Sequence, residues 1–231
     1  MLTLAFDTSS KTAAVALLRD SDILYDVVIN TGLPHSEVLL VEIDKALRER
    51  SLKIKDVDLF ACTIGPGSFT GLRIGVSTLK GLMLAAGKPA AGISSLAALA
   101  LNAGNTSKLI CSVMDAGRGY LYTAFYRYDK NKGLEQIGIE KVIQPEAMLS
   151  NVDEEVYLIA EESVKCSDII GKKNKKIIIN LKLARNIKAS SVGILGIKKY
   201  SQKELLNKET LTPVYLRPAD AQPKKSLFEN H

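Results

Sequence analysis

The sequence contains only two histidines in 231 residues, His35 and His231. Val38 and Leu39 occupy the positions where a second histidine at helical spacing would stand, which argues against a two-histidine metal site. A site built from His35 and distant carboxylates stays open as an alternative. A Ser-His-Asp hydrolase would need His35 as its base, and Ser68 lies in GPGSFTG rather than in the GxSxG elbow of such enzymes. The scarcity of histidine therefore disfavours both chemistries.

Cysteine is also scarce, and long apolar runs are missing. The cysteines lie far apart, are odd in number and form no CxxC pair, which favours reduced, buried or idle thiols in the cytoplasm. They are Cys62, Cys111 and Cys166. No apolar run approaches the ~18–20 residues of a membrane span, and the N-terminus MLTLAFDTSS lacks the basic start and apolar core of a secretory signal. We therefore expect a cytoplasmic protein without a membrane partner.

The net charge of +6 is unevenly distributed along the chain. Residues 1–104 carry 10 Lys+Arg and 10 Asp+Glu, whereas residues 105–231 carry 21 and 15. The densest basic cluster is GKKNKK, and its lysines are candidate nucleic-acid contacts because a basic surface attracts phosphates. These lysines are Lys172, Lys173, Lys175 and Lys176. No aromatic residues alternate with them to stack on bases, so a solvated loop is the alternative.

The order of apolar and polar segments suggests two related halves. One apolar strand ends at Asp7 and another at Asp115, and each is followed by a polar turn and two further strands. We therefore predict an α/β fold with two lobes, each a mixed sheet with flanking helices, over residues 1–104 and 105–213. Residues 214–231 contain prolines and end polar, which predicts an extended, partly disordered tail.

Two helices are predicted in the first half. From Ser36 to Arg50 apolar residues recur on one helical face, and after GPGSFTG a second helix runs to about Ala86. The glycine loop is not a P-loop, which needs a Lys-Ser/Thr pair, and it is one residue too long for GxGxxG. Gly71 and Gly75 belong to a small-residue strip. This strip either packs inside the lobe or lets helices of another subunit approach closely.

The last third of the chain carries weaker signals. Val156 to Ala160 and Ile177 to Ile179 predict short strands, and Val192 to Leu206 predicts a helix. Gly193 and Gly196 weaken the helix prediction because glycine disfavours a helix interior.

Asp7 and Asp115 resemble the paired aspartates that bind magnesium–nucleotide between the lobes of actin-like ATPases. Their neighbours argue against a working ATPase. Asp7 is followed by Thr-Ser-Ser, with no glycine for close phosphate approach, and Asp115 by Ala-Gly-Arg-Gly, which lacks a Gly-Thr phosphate loop. The two aspartates therefore indicate a vestigial nucleotide site or, alternatively, residues that cap their own turns.

Several segments together resemble the TsaB family. They are AFDTSSKTAAVALL, PHSEVLL, IGPGSFTGLRIGVSTLKGL, GISSLAALA, MDAGRGYLYTAFYR and TPVYLRPA. The resemblance covers Met1 to about Tyr128 and resumes near Leu211, and GSFTG-x-R-x-G is its most specific segment. It implies a two-lobed actin-like fold of the ASKHA, or RNase H-like, type, related to hsp70 and sugar kinases.

The resemblance also implies a function. It is that of a non-catalytic scaffold and activator subunit in forming N6-threonylcarbamoyladenosine at position 37 of tRNA (t6A37). In that system TsaC or Sua5 makes threonylcarbamoyl-adenylate, TsaD holds the metal and catalyses the transfer, and the ATPase TsaE acts on the TsaB–TsaD pair. The resemblance implies tRNA binding through the complex, a homodimer when the chain is alone, no metal or cofactor of its own, and ADP or ATP only in the complex.

The partner interface suggested by the helix pattern and the resemblance uses both predicted helices. Its candidate residues are His35, Ser36, Leu39, Leu40, Ile43, Thr70, Gly71, Gly75 and Thr78. Family members often carry a glycine-containing turn after the strand at 156–160, whereas this sequence reads Ala-Glu-Glu-Ser-Val, which counts against nucleotide binding by the chain alone. A self-sufficient actin-like ATPase and a peptidase-like protein are the alternative functions.

Overall fold

The computed structural model describes residues 1–150, 152–164, 177–179, 186–207 and 210–217. Within these ranges the chain forms two five-stranded mixed sheets with helices packed on them. No helix in the same ranges is both long enough and apolar enough to cross a membrane.

Five strands form the first sheet. They are β1 Leu2–Asp7, β2 Ala13–Arg19, β3 Asp22–Ile29, β4 Leu59–Gly65 and β5 Ala90–Ser94. Their order across the sheet is β3-β2-β1-β4-β5, with β1 antiparallel to β2 and parallel to β4. Every residue of β1 is buried, as expected for a central strand whose sheet is covered on both faces.

Helices cover both faces of the first sheet. They are α1 His35–Glu49, α2 Phe69–Ala86, α3 Ser95–Ala100 and α4 Ala189–Ser201. Because side chains alternate along a strand, Leu4 and Phe6 pack with residues of α1 and α2, whereas Ala5 packs with residues of α3 and α4 on the opposite face. At the start of α2 the Ser68 hydroxyl accepts a hydrogen bond from the Gly71 amide.

The second sheet repeats the plan of the first. Its strands are β6 Leu109–Gly117, β7 Tyr120–Asp129, β8 Gly133–Ile143, β9 Val156–Ala160 and β10 Ile177–Ile179. Their order is β10-β9-β6-β7-β8, and β6 pairs antiparallel with β7 and parallel with β9, as β1 does with β2 and β4. The predicted repetition and the two-lobed α/β architecture are confirmed.

The position of α4 corrects the predicted domain boundary. Residues 105–213 were predicted to form the second lobe, but α4 packs on the first sheet. Two glycines permit this close packing. A Cβ on Gly193 would stand 2.4 Å from Leu18 Cδ1, and one on Gly196 would stand 2.7 Å from Ala61 Cβ. The residues that weaken the helix prediction therefore give this helix its contact with the sheet.

After α4 the chain returns along the edge of the first sheet. Leu211 is buried in the core of the first lobe, and the Val214 amide donates a hydrogen bond to the Ile64 carbonyl at 2.7 Å. Residues 214–217 form neither helix nor strand, whereas the rest of the predicted tail, 218–231, lies outside the described residues.

Candidate functional site

A cleft of about 330 Å³ opens between the two lobes. Side chains from five places in the chain line it: the turn after β1, the first residue of α1, the residue before α2, the last part of β6, and the turn after β9. These lining residues are Ser9, Ser10, Lys11, His35, Ser68, Met114, Asp115, Glu161 and Ser163. The cleft is the candidate site because it lies where the ends of β1 and β6 face each other.

Asp7 ends β1 but is fully buried and does not line the cleft. Its Oδ1 accepts hydrogen bonds from the Ser9 amide at 3.0 Å, the Ser9 hydroxyl at 2.6 Å and the Thr63 hydroxyl. Burial raises the pKa of Asp7, and these hydrogen bonds oppose that shift. The carboxyl group thus holds the turn that follows it. It is not placed to contact a nucleotide in this conformation.

Asp115, the counterpart of Asp7 on β6, is exposed and lines the cleft. Its Oδ1 accepts a hydrogen bond from the Gly117 amide at 2.8 Å, so it also caps its own turn. The structure therefore brings Asp7 and Asp115 to the same region but gives only Asp115 access to the cleft.

A second carboxyl group in the cleft was not among the predicted site residues. Glu161 is buried, and it accepts hydrogen bonds from both the amide and the hydroxyl of Ser163. Burial raises the pKa of Glu161, the nearby Asp115 raises it further, and Lys11 lowers it. The signal was present in the sequence, because Glu161 belongs to the turn in which family members often carry glycine.

The charge of the cleft decides what it can bind. Its lining includes the carboxyl groups of Asp115 and Glu161 against the single ammonium group of Lys11. A phosphate chain is bound by cationic groups and by backbone N–H groups with close glycine access. Two carboxyl groups at this place repel phosphate instead. Without a divalent cation to offset these carboxyl groups, the cleft is therefore unfavourable for a phosphate chain.

His35, which was predicted to belong to the partner interface, is half-buried and lines this cleft. Its Nε2 is 2.9 Å from the Ser10 carbonyl oxygen, which fixes the ring against the turn after β1. Among the described residues, no group of three or more His, Cys, Asp and Glu side chains could hold a metal ion.

The interface predicted on α1 and α2 also needs correction. Leu39 and Ile43 are buried in the core of the first lobe. A Cβ on Gly71 would stand 2.0 Å from the Thr8 carbonyl oxygen, and one on Gly75 would stand 2.4 Å from Thr8 Oγ1. The glycine strip therefore packs against the turn of its own lobe, and these four residues cannot form the surface that a partner meets.

Other residues of these helices do face outward. Of the predicted interface residues, Ser36, Leu40 and Thr70 are exposed and Thr78 is half-buried. The predicted Leu40 is 55% exposed, and two large apolar side chains that the prediction missed, Val41 and Leu84, are 66% and 62% exposed. We call the set of exposed residues the α1–α2 outer face. Its members are Leu40, Val41, Thr70, Ser77, Gly81 and Leu84.

A helical pattern could have placed the glycine strip correctly. Leu72, Val76 and Leu79 flank Gly71 and Gly75 on one side of α2, and all three are buried. Large aliphatic residues beside the glycines mark the inward side of an amphipathic helix. The four lysines predicted to contact nucleic acid, between 172 and 176, lie outside the described residues.

Comparison with known proteins identifies the family. Residues 31–222 match the family model TsaD, described as tRNA N6-adenosine threonylcarbamoyltransferase. The chain is 31% identical to the Bacillus subtilis (strain 168) tRNA threonylcarbamoyladenosine biosynthesis protein TsaB, over 97% of both chains. It is 32% identical to the Escherichia coli K12 protein of that name over 148 residues, which cover 63% of this chain and 64% of that protein.

Solved structures agree with this result. YeaZ from Pseudomonas aeruginosa superposes with a TM-score of 0.78 and 25% identity, and the alignment covers 93% of this chain and 99% of that one. Since the model of the transferase family also matches most of the chain, the fold is the actin-like fold expected from the sequence. The whole-length similarity to the Bacillus subtilis protein is decisive, and the chain belongs to the TsaB family.

Proposed function

We propose that this chain is a non-catalytic accessory subunit in the formation of N6-threonylcarbamoyladenosine at position 37 of tRNA. Whole-length similarity to a protein named for threonylcarbamoyladenosine biosynthesis supports the pathway. The catalytic partner is the threonylcarbamoyltransferase TsaD, and TsaE acts on the pair. The proposed location is the cytoplasm.

The α1–α2 outer face is the observation that carries the assignment. Leu40, Val41 and Leu84 leave most of their apolar surface in water, although the inward residues of the same helices are buried. Covering such a side chain stabilises an association by about 1.5–3 kcal/mol before the costs of binding. An added Cβ at Gly81 meets nothing within 4 Å, so a neighbouring helix has room to approach there.

The partner's own fold fits this face. The model of the transferase family matches this chain, so the transferase is expected to present a helix pair of the same kind. Two such pairs can pack as a four-helix bundle. In the absence of the transferase, a second copy of this chain would supply the same pair, which gives a two-fold homodimer. tRNA and ADP or ATP then bind to the complex, and Lys172, Lys173, Lys175 and Lys176 remain proposed tRNA contacts.

Co-purification with TsaD tests the proposal. In Leu84→Asp a charge replaces an exposed leucine on the outer face, and in the matched control Ile139→Asp it replaces an exposed isoleucine on β8. Both variants should melt like the wild type because neither side chain is buried. Only Leu84→Asp should lose TsaD and the homodimer.

One result would overturn the proposed interface, and another would contradict the accessory role. One is normal TsaD binding by Leu84→Asp in a folded chain, which would place the interface elsewhere. The other is ATP turnover or tRNA modification by the isolated chain, because either would make it an enzyme in its own right.

A further inference from the structure

The segment that follows α4 joins the two lobes along one side of the molecule. Leu206 forms an antiparallel bridge with Ala90, and the Val214 amide binds the Ile64 carbonyl. Three residues later, the Arg217 guanidinium donates hydrogen bonds to the carbonyl oxygens of residues 116 and 117 on the second lobe, at 3.0 and 2.9 Å. The segment thus carries side chains from the start of α2 to the turn between β6 and β7.

At its first contact the segment builds an aromatic stack. The rings of Tyr215 and Phe69 lie with their centroids 4.8 Å apart, and the Arg73 guanidinium lies 3.9 Å above the Phe69 ring. Arg73 Nε also donates a hydrogen bond to the Tyr215 hydroxyl at 3.3 Å. Tyr215 is 40% exposed and Arg73 is exposed, so one side of the stack faces solvent.

At its second contact the segment places another cation on a ring. The Arg217 guanidinium is 5.3 Å from the centroid of Tyr120, which is 37% exposed. Arg118, in the same turn, is exposed and has a φ of 54°, which lies in the left-handed region. Tyr215 and Arg217 are two positions apart, so this short stretch of chain supplies a side chain to each of the two groups.

We propose that this arginine–aromatic surface binds an unpaired loop of RNA. Its members are Phe69, Arg73, Arg118, Tyr120, Tyr215 and Arg217. Exposed aromatic rings and guanidinium planes stack on unpaired bases, and guanidinium groups also bind phosphates. The proposal rests on the proposed role in tRNA modification. It adds a second set of RNA contacts to the proposed contacts of the lysine cluster.

The chemistry favours RNA over a phosphorylated small molecule or a protein. The surface spans both lobes and leaves Tyr120 and Tyr215 partly exposed, whereas a small phosphate ligand is held in a concave pocket. The half of the chain that contributes Arg118 and Arg217 also carries the whole net charge of +6. A polyanion that presents unpaired bases complements both properties.

Binding of labelled RNA to the full-length chain, followed by fluorescence anisotropy, tests the surface. The probes are a short stem-loop with an unpaired loop and a duplex of the same length. Tyr215→Ala and the double variant Arg118→Gln, Tyr120→Ser should each weaken stem-loop binding by about tenfold. Tyr215→Phe keeps the ring, and Lys80→Gln removes an exposed charge elsewhere on α2; both should bind within about twofold of the wild type. The double variant should also lower the salt dependence by about one counterion.

The controls separate this inference from the proposed function. Every variant is first checked for a wild-type melting curve and for co-purification with TsaD. Unchanged stem-loop binding by the folded Arg118→Gln, Tyr120→Ser variant overturns the inference and leaves the accessory role intact. Equal affinity for the duplex and the stem-loop also overturns it, because base stacking would then contribute nothing. Loss of TsaD with unchanged RNA binding would show that the surface docks protein instead.

Discussion

Two glycines on α2 provide a matched test of how this helix is placed. An alanine Cβ at Gly75 would stand 2.4 Å from Thr8 Oγ1 and 3.1 Å from Cys62 Sγ, both in the buried core. The same change at Gly81, six residues later, meets nothing within 4 Å. At both positions the change from glycine to alanine raises helix propensity by about 1 kcal/mol. The difference in unfolding free energy between the two variants therefore measures the steric cost at Gly75.

The expected magnitudes have opposite signs. Overpacking at Gly75 costs about 1–3 kcal/mol, and displacing Thr8 Oγ1 also strains its hydrogen bond to the Gly71 carbonyl, 2.8 Å long. After the gain in propensity, Gly75→Ala should lose about 1–2 kcal/mol of unfolding free energy, which lowers the melting temperature by roughly 2–8 °C. Gly81→Ala should gain about 0.5–1 kcal/mol.

Urea unfolding and calorimetry of the wild type and both variants measure this difference. Adding Thr8→Ala to Gly75→Ala should recover part of the loss, because it removes the atom that the new Cβ meets, and the recovery appears as a coupling energy in the double-mutant cycle. The reasoning is refuted if Gly75→Ala is as stable as Gly81→Ala. In that case the glycine strip is not packed against Thr8 and is available to a partner.

Three further predictions concern polar groups that are hydrogen-bonded or buried. Asp26→Ala should lower the free energy of unfolding by about 1–2 kcal/mol, because the Asp26 carboxylate accepts hydrogen bonds from the Ser190 amide at 3.2 Å and from the Ser190 hydroxyl at 2.5 Å at the start of α4. Urea unfolding should show that the double variant with Ser190→Ala loses less than the sum of the two single losses. Since burial raises the pKa of Asp7 above its ordinary 3.8, the native state binds more protons than the unfolded state from about that pH up to the raised pKa. Wild-type stability should therefore fall with rising pH relative to Asp7→Asn, and parallel curves would refute this account. Burial raises the pKa of Cys62, and that of Cys111 to about 12, so Cys166→Ser should show almost no native thiol reactivity at pH 8 and two reactive thiols in denaturant.

The main strands and the first two helices were predictable because their signals are local. The strands that end at aspartates are apolar runs bounded by turns. α1 and α2 each follow a segment rich in glycine and proline, and their apolar residues recur with a helical period. β5 and α3 were missed because AAGISSLAALA is uniformly small and apolar and shows neither period. The packing of α4 on the first sheet was missed because no local pattern specifies which sheet a helix meets.

The candidate sites were harder to predict because they depend on contacts between distant residues. Arg73 and Tyr215 are 142 positions apart, and the Arg217 guanidinium binds carbonyl groups about 100 positions away. The pattern on α2 gave the correct residue types but the wrong side. Periodicity defines two faces of a helix, and only packing decides which one is buried. Glu161 was visible only as a departure from a resemblance, and its place in the cleft required the fold.

The turn after β1 gives the loop GPGSFTG a structural role in the first lobe. The Ser9 carbonyl accepts a hydrogen bond from the Ser68 amide at 2.7 Å, and the Thr8 hydroxyl donates one to the Gly71 carbonyl. The glycines let this turn approach the start of α2 more closely than any side chain would allow. The turn therefore fixes the direction of α2, and with it the outer face that carries Gly81 and Leu84. In this arrangement the end of β1 orients the helix that we propose as a docking surface.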